Sequence, residues 1–377
     1  MQERLLDRSW TQGDLADVLG RPVQAVNEII TGKKAITPET AVALSKALGN
    51  TANFWLNLES AYRLDLLHHS GSGRIVDVER RARLLEKVPL KELKRLGWID
   101  VDLKNVAEAE KAVCRFLGTT SMDEEPNVPF AARKAEKYAA HSAAQRAWIC
   151  RVRDLAARQH VAKYSSVRLA RAVAELPKLS TTDDTTRTVP SRLAGLGIRF
   201  VVATHLTGTK IDGGTVWLDE SAPVVAVSFR YDRMDWFWFT LMHEIAHVLA
   251  GDGKDGMMLD QALVGRDADP STVSDVEKRA DQAASMWLIP TDRMNEFIRR
   301  TSPYYSRTAI LQFAASLEVH PAIVAGQLQN RKEIPYTHHR NLLTNVRHLF
   351  TGEMLSASRK GVAIETALRA SQLRKSR

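Results

Sequence analysis

Phe239-Thr-Leu-Met-His243-Glu244-Ile-Ala-His247-Val-Leu-Ala-Gly251 sets two histidines four residues apart, with a glutamate directly after the first. On an α-helix that spacing puts His243 and His247 on one face, a turn apart, where they can share a metal ion. Glu244 then flanks an open coordination position, where a carboxylate can take a proton from an attacking water. The bare pattern arises by chance in many chains, so its surroundings decide its meaning. Leu241, Met242, Ile245, Ala246, Val248 and Leu249 predict a buried helix from about Asp235 to Leu249, stopped at Gly251. Two imidazoles and a carboxylate inside such a helix are costly unless paired or metal-bound.

Two histidines and water do not complete a catalytic zinc shell, so a third ligand is expected from elsewhere. Glu277 is the candidate, in Val276-Glu277-Lys-Arg-Ala280-Asp281, on a helix expected from about Ser274 to Leu288 and ended by Pro290. Asp281 lies on the same face and can accept the outer N–H of a ligating histidine. Without a metal, the histidines would be ordinary core or surface residues, and Glu277 would pair with Lys278 or Arg279. The apolar helix, the strands before it and the Glu277/Asp281 pair favour the metal. Trp236-Phe237-Trp238-Phe239 reads as core packing of the metal helix rather than a substrate pocket.

Upstream, Ile198-Arg-Phe-Val-Val-Ala203, Thr215-Val-Trp-Leu218 and Pro223-Val-Val-Ala-Val-Ser-Phe229 are short β-rich runs. Asp212-Gly213-Gly214 between them reads as hairpin-turn chemistry. The polar stretch 178–188 reads as a loop or the start of a helix. Residues 60–176 are mainly helical, with Leu84, Leu85, Val88, Leu93 and Leu96 at three- and four-residue steps. The expected fold is mainly α with a small antiparallel β-sheet (α+β).

At the N-terminus, Thr11-Gln-Gly-Asp-Leu15-Ala16-Asp-Val-Leu19-Gly20 and Arg21-Pro22-Val-Gln-Ala-Val26-Asn-Glu-Ile29-Ile-Thr-Gly32 form a two-helix pattern. The tight turn at Gly20 sets the second helix across the first, as in a helix-turn-helix. Thr11 suits the N-cap of the first helix and Pro22 the first turn of the second. Gln24 and Asn27 on the outward face can read adenine, while Gln12, Lys33 and Lys34 are placed for phosphates of double-stranded DNA. A third amphipathic helix follows from Ile36, with Phe54-Trp55-Leu56-Asn57-Leu58 packing behind it.

The formal charge of +9 suggests an anionic partner, yet residues 1–60 carry six basic against seven acidic residues. That balance, with Glu28 on the reading face, leaves dimerisation or partner binding as the competing use of this block. The excess lies in 131–171 and 330–377, with ten Lys/Arg in each; a basic face is more often solvated surface than a nucleic-acid site. Cys114 and Cys150 are too few for a disulfide framework and read as buried thiols. With no apolar run of about 18 residues and acids near the start, a cytoplasmic chain with no membrane partner is expected.

Lys210-Ile-Asp-Gly-Gly, Arg230-Tyr-Asp-Arg-Met-Asp-Trp-Phe-Trp-Phe-Thr240, the His243–His247 motif, Glu277-Lys-Arg-Ala-Asp281 and Leu288-Ile-Pro290 together resemble the ImmA/IrrE metallopeptidases. Phe313-Ala and Val319-His-Pro-Ala-Ile-Val-Ala-Gly-Gln-Leu-Gln329 resemble the segment that follows in large members, so the likeness covers roughly 180–350. It implies a zincin-like domain that cleaves a partner repressor, with Zn2+ on His243, His247 and Glu277 and Glu244 as base. Asp281 is followed by Gln-Ala-Ala where members commonly carry an aromatic. Residues 8–66 resemble HigA-type antitoxins of the Xre/Cro class, which implies operator binding as a homodimer.

The expected organisation is a helix-turn-helix domain (1–66), a helical connecting region (67–178), a peptidase domain (179–350) and a basic helical tail (351–377). The expected function is a DNA-binding regulator with a zinc endopeptidase domain, of toxin–antitoxin, phage or stress-response type. The alternative is a non-catalytic antitoxin or repressor that uses the peptidase-like domain to bind a protein partner. Hydrolysis also needs an oxyanion donor; His205, Arg230 and Tyr231 are candidates by type, with His205 read as a surface residue.

Overall fold

The structure is a computed structural model that describes residues 1–69, 73–126, 142–254, 258–261 and 274–350. The expected tail (351–377) and residues 127–141, which include part of the basic stretch 131–171, lie outside the described residues. The chain divides into two compact units, Met1–Arg80 and Arg81–Arg377.

The first unit holds α1 (Gln2–Leu6), α2 (Gln12–Leu19), α3 (Val23–Ile30), α4 (Pro38–Leu48) and α5 (Ala52–His69). Thr11 caps α2 in a reciprocal box with Asp14, and Gly20 ends the helix in the left-handed conformation that glycine adopts without strain. Pro22 is the N-cap of α3 rather than a residue of its first turn. Leu15, Ala16, Val26, Ile29, Leu44 and Trp55 form the core of this unit. Of the block expected behind α4, Trp55 is buried, with its Nε1 donating to Gly49 O (3.2 Å), and Leu56 is half-buried. Phe54 and Leu58 are exposed, because helical spacing turns them away from that face.

The second unit contains α6 (Gly73–Lys87, whose first turns belong to the first unit), α7 (Leu90–Arg95), α8 (Val106–Leu117) and α9 (Ala143–Ala157). There follow α10 (Ser166–Ala172), a 3-10 turn (Val173–Ser180), α11 (Asp183–Arg187) and α12 (Val189–Leu196). Strands β1 (Arg199–Val202), β2 (Ile211–Trp217) and β3 (Pro223–Val227) lead into α13 (Met234–Ala250). Next come β4 (Met258–Gln261), α14 (Asp275–Leu288), α15 (Thr291–Thr301), α16 (Arg307–Ser316) and α17 (Pro321–Asn330).

The fold is mainly helical with one small sheet, and that sheet is mixed rather than purely antiparallel. Its order is β1-β3-β2-β4, with β1 parallel to β3 and β2 antiparallel to both β3 and β4. Asp212-Gly213-Gly214 is not the expected turn. It lies inside β2, opposite Val227 and Ala226, beside an irregularity at Ile211/Gly213. The chain reverses instead at Leu218–Ala222, where Leu218 N donates to Ala222 O (3.0 Å).

Side chains of the sheet alternate between two helical layers. Trp217, Val225 and Val227 join the core built with α13. Val216, Val224 and Ala226 join Leu84, Val88, Leu93, Trp148, Ile149 and Val152 on the other face. Trp148 Nε1 donates to Ala203 O (2.9 Å) and pins α9 to the end of β1. Helices from the expected connecting region therefore share a core with the strands.

Cys114 and Cys150 are both buried and free, and burial pushes the Cys150 thiol up to about 11. Among the basic residues of 142–171, Arg151 is buried against the Trp98 ring (5.7 Å), so it belongs to the core. Among the described residues no single helix is long and apolar enough to cross a membrane.

Candidate metal centre

Helix α13 is apolar nearly all round because it is covered by the sheet, α14 and α17. Small residues let these neighbours approach. Ala280 and Ala284 of α14 are buried, and a β-carbon at Gly326 of α17 would stand 2.5 Å from Asp235 Oδ2. Gly251 ends α13 in the left-handed conformation, and Asp252 N turns back onto His247 O (2.9 Å).

His243, Glu244 and His247 are all 0% exposed. The two Nε2 atoms face each other at 3.0 Å, and Glu277 Oε2 lies 3.1 Å from His243 Nε2 and 3.4 Å from His247 Nε2. Each outer ring nitrogen meets a carboxylate. His247 Nδ1 is 3.0 Å from Asp252 Oδ2, and His243 Nδ1 is 2.9 Å from Asp281 Oδ1, a contact of ion-pair length rather than an aligned hydrogen bond. With a proton on each Nδ1, the tautomer that a facing carboxylate favours, two Nε2 lone pairs and one carboxylate oxygen converge on a single point. Three converging acceptors repel one another unless a cation lies among them. Ligands about 2.0–2.2 Å from a tetrahedral ion stand roughly 3.3–3.6 Å apart, close to the spacings seen, so the residues fit a divalent ion. His243, His247 and Glu277 make up this cluster.

Glu244 is placed from β2. Thr215 Oγ1 donates to Glu244 Oε2 (2.7 Å) and also lies 3.1 Å from Glu244 O. A β-carbon at Gly213 would collide with Glu244 Oε1, and it would stand 2.6 Å from Thr240 Cγ2. Close approach is thus what Gly213 provides, and this explains glycine inside a buried strand. Trp217 Nε1 donates to Asp252 O (2.8 Å), while Arg279 Nη2 lies 3.0 Å from Asp252 Oδ2. One face of β2, through residues 213, 215 and 217, therefore holds Glu244 and Asp252.

Sequence reasoning brought out His243, Glu244, His247, Glu277 and Asp281, and the structure brings them together. It missed Gly213, Thr215, Trp217 and Asp252. Gly251-Asp252 was a usable signal, because a left-handed helix end folds the next residue back toward the last turn. Arg279, weighed as a partner for Glu277, meets Asp252 instead.

The aromatic run splits. Phe237 and Trp238 are buried in the core and half-buried Phe239 packs against it, while half-buried Trp236 lines a cavity together with Phe239, so the core reading holds for three of the four. The oxyanion candidates sit around the end of β2. Arg230 Nη1 is 3.5 Å from Asp212 Oδ1, donates to Lys210 O (3.3 Å) and lies over the Tyr231 ring (5.0 Å). Tyr231 packs on Trp236, with ring centroids 4.1 Å apart. His205 is half-buried rather than on the surface. Burial, then the charges of Arg230 and Arg347, hold its imidazole below the ordinary range.

On α3, Gln24 and Asn27 are exposed, as are Lys33 and Lys34 beyond it, whereas Gln12 is half-buried. Gln24 Nε2 donates to Glu28 Oε1 (3.3 Å), so one donor of this outward face is held by an acid.

Fold and site define a chain with a helix-turn-helix unit and a second unit that carries a His-His-Glu cluster able to hold a metal ion. Residues 1–55 match the family described as helix-turn-helix, and residues 200–328 match the IrrE N-terminal-like domain. The chain is similar to an uncharacterised HTH-type transcriptional regulator, YddM, of Escherichia coli, 32% identical over 85 residues. That segment is 22% of this chain and 85% of the relative. Virulence-associated protein A of Dichelobacter nodosus is 33% identical over 76 residues, 20% of this chain and 74% of that protein. Through this segment the chain belongs to the helix-turn-helix transcriptional regulators, with an IrrE-like domain fused to it.

Proposed function

We propose that this protein binds operator DNA as a homodimer and that its second unit is a zinc endopeptidase. Its substrate is a partner regulator, in a toxin–antitoxin, phage or stress-response setting. One observation carries the reading: three converging ligand atoms 3.0–3.4 Å apart, with a fully buried carboxylate beside them held by Thr215. Keeping a carboxylate fully buried is costly even where it is hydrogen-bonded, and a scaffold that only bound partners has no physical need for Glu244.

His243, His247 and Glu277 would hold the ion; two nitrogens and one carboxylate oxygen suit zinc. When bound, zinc supplies Lewis acidity, polarising the scissile carbonyl and acidifying water. Glu244 takes the proton of the attacking water and returns it to the leaving amine. Thr215, donating to Oε2, orients that carboxylate and supports its ionised form. Asp252 and Asp281 keep the protons of His247 and His243 on Nδ1, so both Nε2 lone pairs face the centre. Gln24 and Asn27 contact bases, and Gln12, Lys33 and Lys34 contact phosphates.

The test uses the full-length chain. Zinc content is measured for the wild type and Glu277→Ala, and a Glu244→Gln form is used as bait to trap an uncleaved partner. Wild type should bind about one zinc per chain and cut the trapped partner, and Glu244→Gln should bind zinc without cutting. Equal zinc content in wild type and Glu277→Ala, or equal cutting by wild type and Glu244→Gln, sinks the reading.

A further inference from the structure

The three ligand atoms come from two helices, so the centre exists only while α14 keeps its place against α13. Glu277 and Asp281, four residues apart, share one face of α14, and Asp281 Oδ1 stands 2.9 Å from His243 Nδ1. Arg279, two residues after Glu277, leaves that face and reaches the residue just beyond the end of α13. Its Nη2 donates to Asp252 Oδ2 (3.0 Å), and the same oxygen lies 3.0 Å from His247 Nδ1. The outer nitrogen of each histidine is therefore tied to α14, that of His243 directly and that of His247 through Asp252.

Asp252 is fixed at its backbone: its N–H donates to His247 O (2.9 Å), and its carbonyl accepts from Trp217 Nε1 (2.8 Å). Among the described residues its carboxylate meets only His247 and Arg279. A carboxylate with one imidazole partner can still turn about its side-chain torsions, and a second, charged donor on the same oxygen fixes the direction that oxygen faces. The Arg279 side chain is 58% exposed, and an ordinary ion pair at such a surface contributes little to stability. What sets this pair apart is where the shared oxygen leads. It touches an imidazole with no exposed surface, whose other nitrogen is one of the three converging ligand atoms.

We propose that Arg279 is a positioning residue of the metal centre; this rests on the metal-binding part of the reading above. Its guanidinium holds Asp252 Oδ2 on His247 Nδ1, and the imidazole is thereby turned so that Nε2 faces Glu277, on Arg279's own helix. Glu277 Oε2 lies 3.4 Å from that Nε2. One helix then supplies both a ligand and the residue that aims the opposing ligand, which couples their positions. The contact uses a single guanidinium nitrogen, so lysine at 279 can stand in for it, whereas alanine frees the carboxylate to turn. Because Arg279 acts only through Asp252, its loss costs no more than the loss of Asp252 as an acceptor.

The experiment has two arms, both on the full-length chain. In the first, zinc affinity is measured by competition with a chelator. Arg279→Ala should weaken zinc binding by about ten-fold, the low end for loss of a group that orients a ligand, and Arg279→Lys should recover most of it. Added to Asp252→Asn, Arg279→Ala should change affinity by less than about two-fold, whereas added to Asp281→Asn it should cost its full factor. In the second arm, long-range 1H–15N spectra of the metal-free chain report which nitrogen of His247 carries the proton. Wild type should hold it on Nδ1, and Arg279→Ala should give a mixture of both tautomers. Wild-type zinc affinity in Arg279→Ala, a full additional loss on top of Asp252→Asn, or an unmoved tautomer ratio overturns the proposal and leaves the metal reading standing. A wild type that binds no zinc, but whose His247 tautomer depends on Arg279, refutes the metal reading and upholds the positioning.

Discussion

The α13–α14 centre and the outward face of α3 carry similar residue types under opposite conditions. In the centre, His243, Glu244 and His247 have no exposed surface, and neighbouring residues orient each of them. On α3, Gln24 and Asn27 lie in solvent, and the Gln24 amide is met by its own helix neighbour Glu28. A polar group in water costs the fold nothing, so its presence says little about purpose. A buried one must be met, and its partners reveal what it is for. The contrast predicts that the centre fails at single atoms, whereas the α3 face changes binding without disturbing the fold.

The largest effect is expected at Glu244. Glu244→Gln should lower turnover by about 100- to 10,000-fold with zinc content unchanged, as read by partner cleavage beside metal analysis. Gly213→Ala tests the strand side of the same atom. Its β-carbon collides with Glu244 Oε1, so turnover should fall toward the Glu244→Gln level while the three ligands still hold zinc. Retained activity in Gly213→Ala would show that β2 does not set the base.

Asp252→Asn and Asp281→Asn should each weaken zinc affinity by about 10- to 100-fold, measured by competition with a chelator. The better aligned contact, Asp252 on His247, should give the larger loss. On the other side of the comparison, Gln24→Ala with Asn27→Ala should weaken operator binding by at least about 30-fold, since each of the two base contacts contributes about 1–3 kcal/mol. Folding stability should change by less than about 0.5 kcal/mol because both sites are exposed. Undiminished binding to the chain's own promoter would move DNA contact off α3.

The smallest effect concerns His320, the N-cap of α17, whose Nδ1 accepts from Ala322 N (3.1 Å). Burial holds this imidazole below the ordinary histidine range. As pH falls below about 6.5, the unfolded chain takes up the proton before the folded chain does, so stability declines. Above that range both states are neutral and nothing is gained. His320→Asn keeps a capping oxygen and should flatten the acid side of a stability–pH curve by about 1 kcal/mol or less.

The metal helix was legible because its apolar surroundings made three polar residues anomalous, and the helix-turn-helix because glycines and caps punctuate short amphipathic stretches. Asp212-Gly213-Gly214 misled, since glycine signals both turns and close approach, and only the position of Glu244 tells them apart. Trp236 misled in the same way: an aromatic run on a helix does not declare which member leaves the core that Phe237, Trp238 and Phe239 join.

By itself, the sequence determined most of the helices and the placing of His243 and His247 on one face, since helical periodicity, caps and residue spacing are local properties of a chain. Tertiary structure alone decided the parallel placement of β1, the hold of Thr215 on Glu244 and the cavity between α13 and α17. Each joins residues far apart along the chain or on separate elements, and packing forces such contacts while no local pattern encodes them.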